Sequence, residues 1–578
     1  MISSYFTGIN PDLLARIPMG ARTVVEVGCG AGNFAAAYLT LNPQARYIGL
    51  ELNAAAAEQA RQCLACVIEG SIEAAATMEA LDQALGGEPA DVLVFGDVLE
   101  HLLDPWATLK ALRQRLRPQG VCVACIPNVS HWSLLQQQLK GQWTYADAGL
   151  LDRTHLRFFT RQSAQALFQE AGWAVVDATP RVLWPEKTEQ AVKALAPVAQ
   201  AWGIAAEAFQ SDVSAFQWVM RAVNGAAPVP LNVAGLGLRK VAGVTEARMD
   251  YPLTALRSLP GVQAVWSTDQ ISLPRHWAPG VLVLHRSFVN NPSIINTLEG
   301  LAARGWLLVS DMDDDPHHWK AYEESDYRAF RGVHAVTVST EPLAQMMQQW
   351  NLEVAVLPNG VMQLPPVALV VPKAGRPRVF FGALNRQADW QPLMPALAQA
   401  ALALKDTVDW VVVHDRAFFD ALPEGLHKQF HPTLAPAAYM KVLAECDVSL
   451  LPLLDTPFNR LKSDLKFIES CAAGAVPICS PVVYGERAEH KAAGWVARTP
   501  DDWAQALLTL CQQHDELARR RALGLRYVVE QRMHGPMALQ REALYRGWMT
   551  RREALECARR QRLAERGMPL TVPVPSAA

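Results

Sequence analysis

The chain has 578 residues, half of them apolar and 8% aromatic, with 53 Lys and Arg against 56 Asp and Glu. At roughly 150 residues per domain this length asks for about four compact units and excludes a single fold, and the apolar share excludes disorder. A formal charge of -3 excludes a general nucleic-acid binder, which needs a cationic surplus against phosphates. No stretch reaches the ~18 apolar residues of a membrane span. Met1–Met19 has neither the basic start nor the apolar run of a secretory leader, so the expectation is a cytoplasmic chain with at most peripheral membrane association.

In chain order, short apolar runs alternate with helical patterns: Thr23–Val27, Tyr47–Leu50, Cys66–Ile68, Val92–Phe95 and Val121–Ile126 read as strands, with Asn53–Leu64 and Asp104–Leu116 as helices between them. This is the rhythm of a parallel doubly wound sheet. Trp173–Ala178 and Phe216–Val223 read as late strands around an alanine-rich helical insert, and residues 225–230 as a linker. From Leu231 the rhythm restarts with Val281–Leu284, Trp306–Ser310, Ala335–Val338 and Val354–Leu357. After a proline-bearing stretch, Leu364–Pro377, it resumes with Val379–Gly382, Trp410–Val413, Val448–Leu451 and Ala475–Cys479. Trp503–Cys511 and the basic Arg551–Arg566 read as helices, the latter as a solvated face, and Val572–Ala578 as a loose tail. Cys63 with Cys66 and Cys122 with Cys125 have knuckle-like spacing. On a strand, however, residues three apart face opposite ways, so core cysteines are expected and no metal site.

Gly28, Gly30 and Gly32 follow the first strand and precede a helix, which lets the backbone approach a nucleoside ligand closely. Glu51 ends the next strand, where a carboxylate can accept both ribose hydroxyls. With these, Glu26-Val-Gly-Cys-Gly-Ala-Gly32, Glu51, Gly96–Pro105 and the turn Leu116-Arg-Pro-Gln-Gly120 resemble the class I S-adenosylmethionine-dependent methyltransferases over about residues 20–225. The resemblance implies a cofactor site of Glu26, Gly28, Gly30, Gly32, Glu51, Ser71, Ile72 and Asp97, with Ser71 where the family often has Asp. A nicotinamide dehydrogenase is the competing reading. Methyl transfer from a sulfonium needs chiefly in-line placement of the acceptor, and an oxygen acceptor gains from a base. His155 and His131 are the candidates, with His101 either beside them or packing its own turn.

Lys462, Ser463, Lys466 and Glu469 open a predicted helix that could hold a diphosphate on its first turns and a ribose one to two turns later. That segment, with Gly382-Ala-Leu-Asn385-Arg386, Val338–Pro342 and Leu357–Gly360, resembles the group 1 GT-B glycosyltransferases over about residues 230–550, with Leu461 where many members carry a second Glu. The resemblance implies a nucleotide-sugar site of Gly382, Asn385, Arg386, Lys462, Ser463, Lys466 and Glu469, whose cations would stabilise the departing nucleoside diphosphate. His285, with Arg286, would act at the acceptor. Asp311-Met-Asp-Asp-Asp315 reads as acceptor contact or helix capping before metal binding.

The expectation is therefore an α/β chain: a Rossmann-like methyltransferase domain (1–224), a linker (225–230), and two Rossmann-like domains of a GT-B glycosyltransferase (231–370 and 371–578). Its cofactors would be S-adenosylmethionine and a nucleotide-sugar, its acceptor a glycan, lipid-linked or protein group. The alternative keeps the methyltransferase and makes the GT-B part a non-catalytic glycan-binding or scaffolding module.

Overall fold

The computed structural model describes residues 8–365 and 375–568. The expected boundary at 370/371, most of the proline-bearing stretch and the tail from Val572 lie outside them. The chain divides into two compact units, residues 1–230 with 257–262, and 231–256 with 263–578.

The first unit holds a seven-stranded sheet of β1 (Thr23–Val27), β2 (Arg46–Glu51), β3 (Cys66–Glu69), β4 (Ala90–Gly96), β5 (Leu116–Pro127), β6 (Ala174–Arg181) and β7 (Gln217–Val223). The order is β3-β2-β1-β4-β5-β7-β6, with β7 antiparallel to β5 and β6. The inner strands read as apolar runs because both faces are covered. Val25, Ile48, Leu93 and Cys122 pack in one core layer, and Val24, Tyr47, Val92 and Cys125 in the other. Cys122 and Cys125 thus fall on opposite faces, as the strand period requires.

The expected turn Leu116–Gly120 lies inside β5. Ala90 pairs with Leu116 and Val92 with Val121, so residues 117–120 loop out of the ladder, with Gln119 at φ 63°. The sequence signal for a turn is met by a bulge rather than by a break in the strand.

The second unit contains two six-stranded sheets. The first is β8 (Leu231–Gly237), β9 (Val262–Thr268), β10 (Val281–His285), β11 (Leu307–Met312), β12 (Ala335–Val338) and β13 (Val354–Val356), ordered β13-β12-β11-β10-β8-β9. The other is β14 (Arg378–Gly382), β15 (Asp409–Val413), β16 (His427–His431), β17 (Val448–Leu451), β18 (Val476–Cys479) and β19 (Trp495–Val496), ordered β16-β15-β14-β17-β18-β19 and parallel throughout. Among the parallel strands of each sheet the order reverses once, beside β1, β8 and β14, and such reversals open crevices at the strands' carboxyl ends.

The basic helix Arg552–Glu565 is not the solvated face its composition suggests. Leu555, Arg559 and Leu563 form its buried stripe. The fully buried Arg559 guanidinium donates to both carboxylate oxygens of Glu299 at 2.7 and 3.0 Å, while Arg562 donates to the Val333 carbonyl at 2.7 Å. A guanidinium tolerates such a position when every donor meets a carboxylate or carbonyl.

Candidate functional sites

At the carboxyl ends of β1, β2 and β4 lies a cavity of about 690 Å³ whose wall includes Glu26, Gly28, Gly30, Glu51, Ser71, Ile72 and Asp97. Gly28 (φ 76°) and Gly30 (φ 54°) hold left-handed backbone. The N–H groups of Gly28 and Cys29 donate to the Leu50 carbonyl at 2.8 and 3.0 Å, stitching the loop to β2. A Cβ on Gly28 would stand 2.5 Å from the Val98 side chain. Glu51 accepts from the N–H of Gly30 and of Asn53, both at 2.8 Å, which fixes the carboxylate at the rim. Gly32 is not on the wall. It caps the helix Asn33–Leu41 at φ 84°, where a Cβ would meet the Ala60 backbone at 3.2 Å, so it serves helix packing. Burial pushes the Glu26 carboxyl up to about 8 against the hydroxyl that Tyr47 donates at 2.9 Å. Burial likewise raises Asp97 to about 6.

The histidines separate. His131 is fully buried and caps the helix Trp132–Leu139 through its own Nδ1. It packs edge-on against Phe216, and burial lowers it to about 4. It does not line the cavity, and such a pKa makes a weak base near neutrality. His155 instead packs on His101 with ring centroids 4.8 Å apart, its Nε2 4.0 Å from Glu100. His101 and Thr154 are on the cavity wall. Glu100 is 1% exposed, and its carbonyl accepts from Leu156 and Arg157 at 2.8 and 3.0 Å, which clamps the loop bearing His155 onto the β4 turn. Burial, with Asp97 nearby, pushes the Glu100 carboxyl well above the usual carboxylate range. Nothing local in the sequence brings residues 100 and 155 together; only the clamp does.

In the second unit, a cavity of about 280 Å³ follows β8 and β10 and is lined by Arg239, His285, Arg286, Trp319 and Tyr322, among others. His285 is buried and its Nδ1 lies 3.0 Å from Asp311 Oδ1. Arg248 forks onto the same carboxylate at 3.0 and 2.6 Å and Thr337 donates to it at 2.7 Å. Burial works to raise Asp311, but Arg248 and the His285 bond win and hold it well below the usual range. This anion fixes the imidazole through Nδ1 and leaves Nε2 without a hydrogen-bond partner, 4.0 Å from Asp313 Oδ1. The other aspartates are spoken for: Asp313 accepts from Arg286 at 2.6 Å, Asp314 faces Lys462 at 3.5 Å, and Asp315 caps the turn Pro316–His318.

Around the β14 reversal, Gly382 ends the strand with its carbonyl accepting from Tyr439, Asn385 holds φ 55°, and Arg386 donates to Asp389 and Asn459, both at 3.2 Å. The helix begins at Leu465, after Asp464, later than the sequence pattern suggests. Lys462 and Ser463 therefore sit in the turn before it, where Ser463 accepts from Asn359 at 2.8 Å. The cause is Arg532, which forks onto Asp464 at 2.6 and 2.7 Å and holds that residue at the helix entrance. Lys466 pairs with Glu469 at 3.0 Å and lies over the Tyr439 ring.

Residues 8–178 match a family model described as a methyltransferase domain. Trans-aconitate 2-methyltransferase from Azoarcus sp. strain BH72 is 34% identical over 145 residues, 24% of this chain and 53% of the relative. A ubiquinone biosynthesis O-methyltransferase of Cereibacter sphaeroides is 28% identical over 181 residues, 30% of this chain and 69% of the relative. The chain thus spans about half the length of the first of these relatives. Among solved structures, Anabaena Alr3699/HepE in complex with UDP-glucose aligns with 54% of this chain and 99% of its own at 13% identity and TM-score 0.40. WaaG, a glycosyltransferase involved in lipopolysaccharide biosynthesis, aligns with 54% and 99% at 14% identity and TM-score 0.38. The match to the methyltransferase-domain model thus falls within the first unit, and the second unit holds the two six-stranded sheets.

Proposed function

We propose that the chain is a bifunctional enzyme that transfers a methyl group from S-adenosylmethionine in its first unit and a sugar from a nucleotide-sugar in its second, in the synthesis of a surface polysaccharide, glycolipid or glycoprotein. The observation that carries the first half is the cavity at the β1/β4 reversal, with Glu51 fixed beside a left-handed glycine turn. A ribose there would share the carboxylate, and the Gly28–Gly30 backbone would leave room for the rest of the cofactor. The acceptor would enter past His101 and Thr154, where Glu100, His101 and His155 cluster, and a relative named as an O-methyltransferase supports an oxygen acceptor. Attack on the sulfonium methyl releases S-adenosylhomocysteine, so positioning supplies most of the rate.

In the second unit, Arg386, Lys462 and Lys466 would meet the diphosphate, and His285 Nε2 the acceptor hydroxyl. Calorimetry with S-adenosylhomocysteine, NAD, UDP, GDP and dTDP tests both halves: binding of the first and of one nucleotide is expected, and binding of NAD alone, or of no nucleotide, rejects the corresponding half. A second reading, a non-catalytic glycan-binding module, draws on the pairing of Arg386, Lys462 and Lys466 with Asp389, Asp314 and Glu469. Slow hydrolysis of any nucleotide-sugar by the intact chain decides against it.

A further inference from the structure

We infer that Glu100, His101 and His155 form a site for a divalent transition-metal ion of the zinc or manganese kind at the mouth of the methyl-donor cavity. The sequence suggested no metal, because the residues that could hold one are 55 positions apart and lack knuckle spacing. Among the described residues these three each offer one ligand atom, and the atoms lie within 4.8 Å of one another. Tetrahedral ligand atoms about 2.1 Å from a shared ion stand about 3.4 Å apart, so the set closes with a contraction of up to about 1.4 Å.

Three independent features point to a cation. First, Glu100 is 1% exposed and neither of its carboxylate oxygens has a hydrogen-bond partner, so a buried acid is left with its acceptor capacity unused. Second, both imidazoles are held through one nitrogen: His155 Nδ1 donates to the Leu150 carbonyl at 3.3 Å and His101 Nδ1 to the Thr154 carbonyl at 3.2 Å. That bonding fixes the tautomer that leaves each Nε2 lone pair free, the outer-shell pattern that positions metal-bound histidine. Third, the outer shell is itself anchored, since Thr154 Oγ1 lies 3.1 Å from His101 Nδ1 and donates to Asp152 at 2.7 Å.

Two imidazoles with one carboxylate favour borderline ions over magnesium or calcium, which prefer all-oxygen sets. Three protein ligands leave positions open, and because His101 and Thr154 line the cavity those positions border the acceptor's path. There a Lewis acid would bind the acceptor oxygen and lower its pKa, giving His155 the role of ligand in place of free base. This role rests on the methyl-transfer reading; the binding of the ion does not.

The test is calorimetry of Zn²⁺ and Mn²⁺, with Mg²⁺ as comparison, on the full chelator-treated chain and on Glu100→Gln and His155→Ala. Each protein is also titrated with S-adenosylhomocysteine. One ion per chain is expected, with affinity at least 10-fold weaker in each variant and at least 10-fold weaker for Mg²⁺, while S-adenosylhomocysteine still binds both variants. Absence of a stoichiometric ion, an ion retained unchanged by both variants, or Mg²⁺ bound as tightly as Mn²⁺ overturns the assignment. Ion binding without S-adenosylhomocysteine binding would sustain the site and reject the methyl-transfer reading; the reverse would reject the site alone.

Discussion

Single side chains in both sites are set by what surrounds them. At Gly28 two constraints coincide, a left-handed φ of 76° and a Cβ that would stand 2.5 Å from Val98. Gly28→Ala is therefore expected to weaken S-adenosylhomocysteine binding at least 10-fold, read by calorimetry. Glu26 gives a pH signature. Below about 4.5 both folded and unfolded chains hold its proton; between about 4.5 and 8 the unfolded chain releases it while the folded chain, at about 8, keeps it. The folded state then binds more protons, so this residue makes stability fall as pH rises through that window and level off above it. Glu26→Gln should flatten that fall in thermal melts of the apo chain; an unaltered pH slope would place Glu26 outside the explanation. His285 differs from His131 in lining a cavity, and if it is the acceptor-side base, His285→Ala lowers sugar transfer by about 10²–10⁴-fold with nucleotide binding unchanged.

Pairings between elements explain which parts of the chain were legible. Strands such as β4, β10 and β15 announce themselves because both faces are buried and each carries an unbroken run of four apolar residues, Val92–Phe95, Val281–Leu284 and Trp410–Val413. β16, His-Lys-Gln-Phe-His, lies at a sheet edge and is half exposed along its length, and β19 is two residues long; neither leaves a hydrophobic signature to find. The glycine turn and Glu51 were readable because a left-handed glycine turn and a strand-ending carboxylate are each written in a few adjacent residues. The Glu100–Leu156 clamp and the Arg248–Asp311 fork were not, because partners 56 and 63 positions apart leave no local pattern. The same applies at the helix entrance, where Arg532 holds Asp464. Breaking a buried pair from one side leaves a charge uncompensated, so Arg532→Met should cost about 3–5 kcal/mol, measured by urea unfolding. The double change with Asp464→Asn should recover part of the loss, and strict additivity would show that the two residues do not act as a pair.

At the scale of the whole molecule, the proposed pairing of two cofactor chemistries in one chain predicts two separable ligand effects. A compound bound only by folded protein adds about 2.7 kcal/mol of stability at 100 times its Kd, so S-adenosylhomocysteine and a nucleoside diphosphate should each raise an unfolding temperature on their own and together. A shift with one compound that abolishes the shift with the other would mean a single shared pocket. The helix Arg552–Glu565 bears on how the polypeptide is made. Glu299 meets Arg559 across 260 positions and Glu353 meets Trp548 across 195. While the ribosome is still translating, Glu299 has therefore been synthesised long before its cation exists, and loop closure over such a span is slow. The β8–β13 region must wait, incompletely sealed, for a segment made some 200 residues later. Nascent chains stalled before residue 552 should accordingly be cut by protease within 281–356 and become resistant there once 552–565 have emerged.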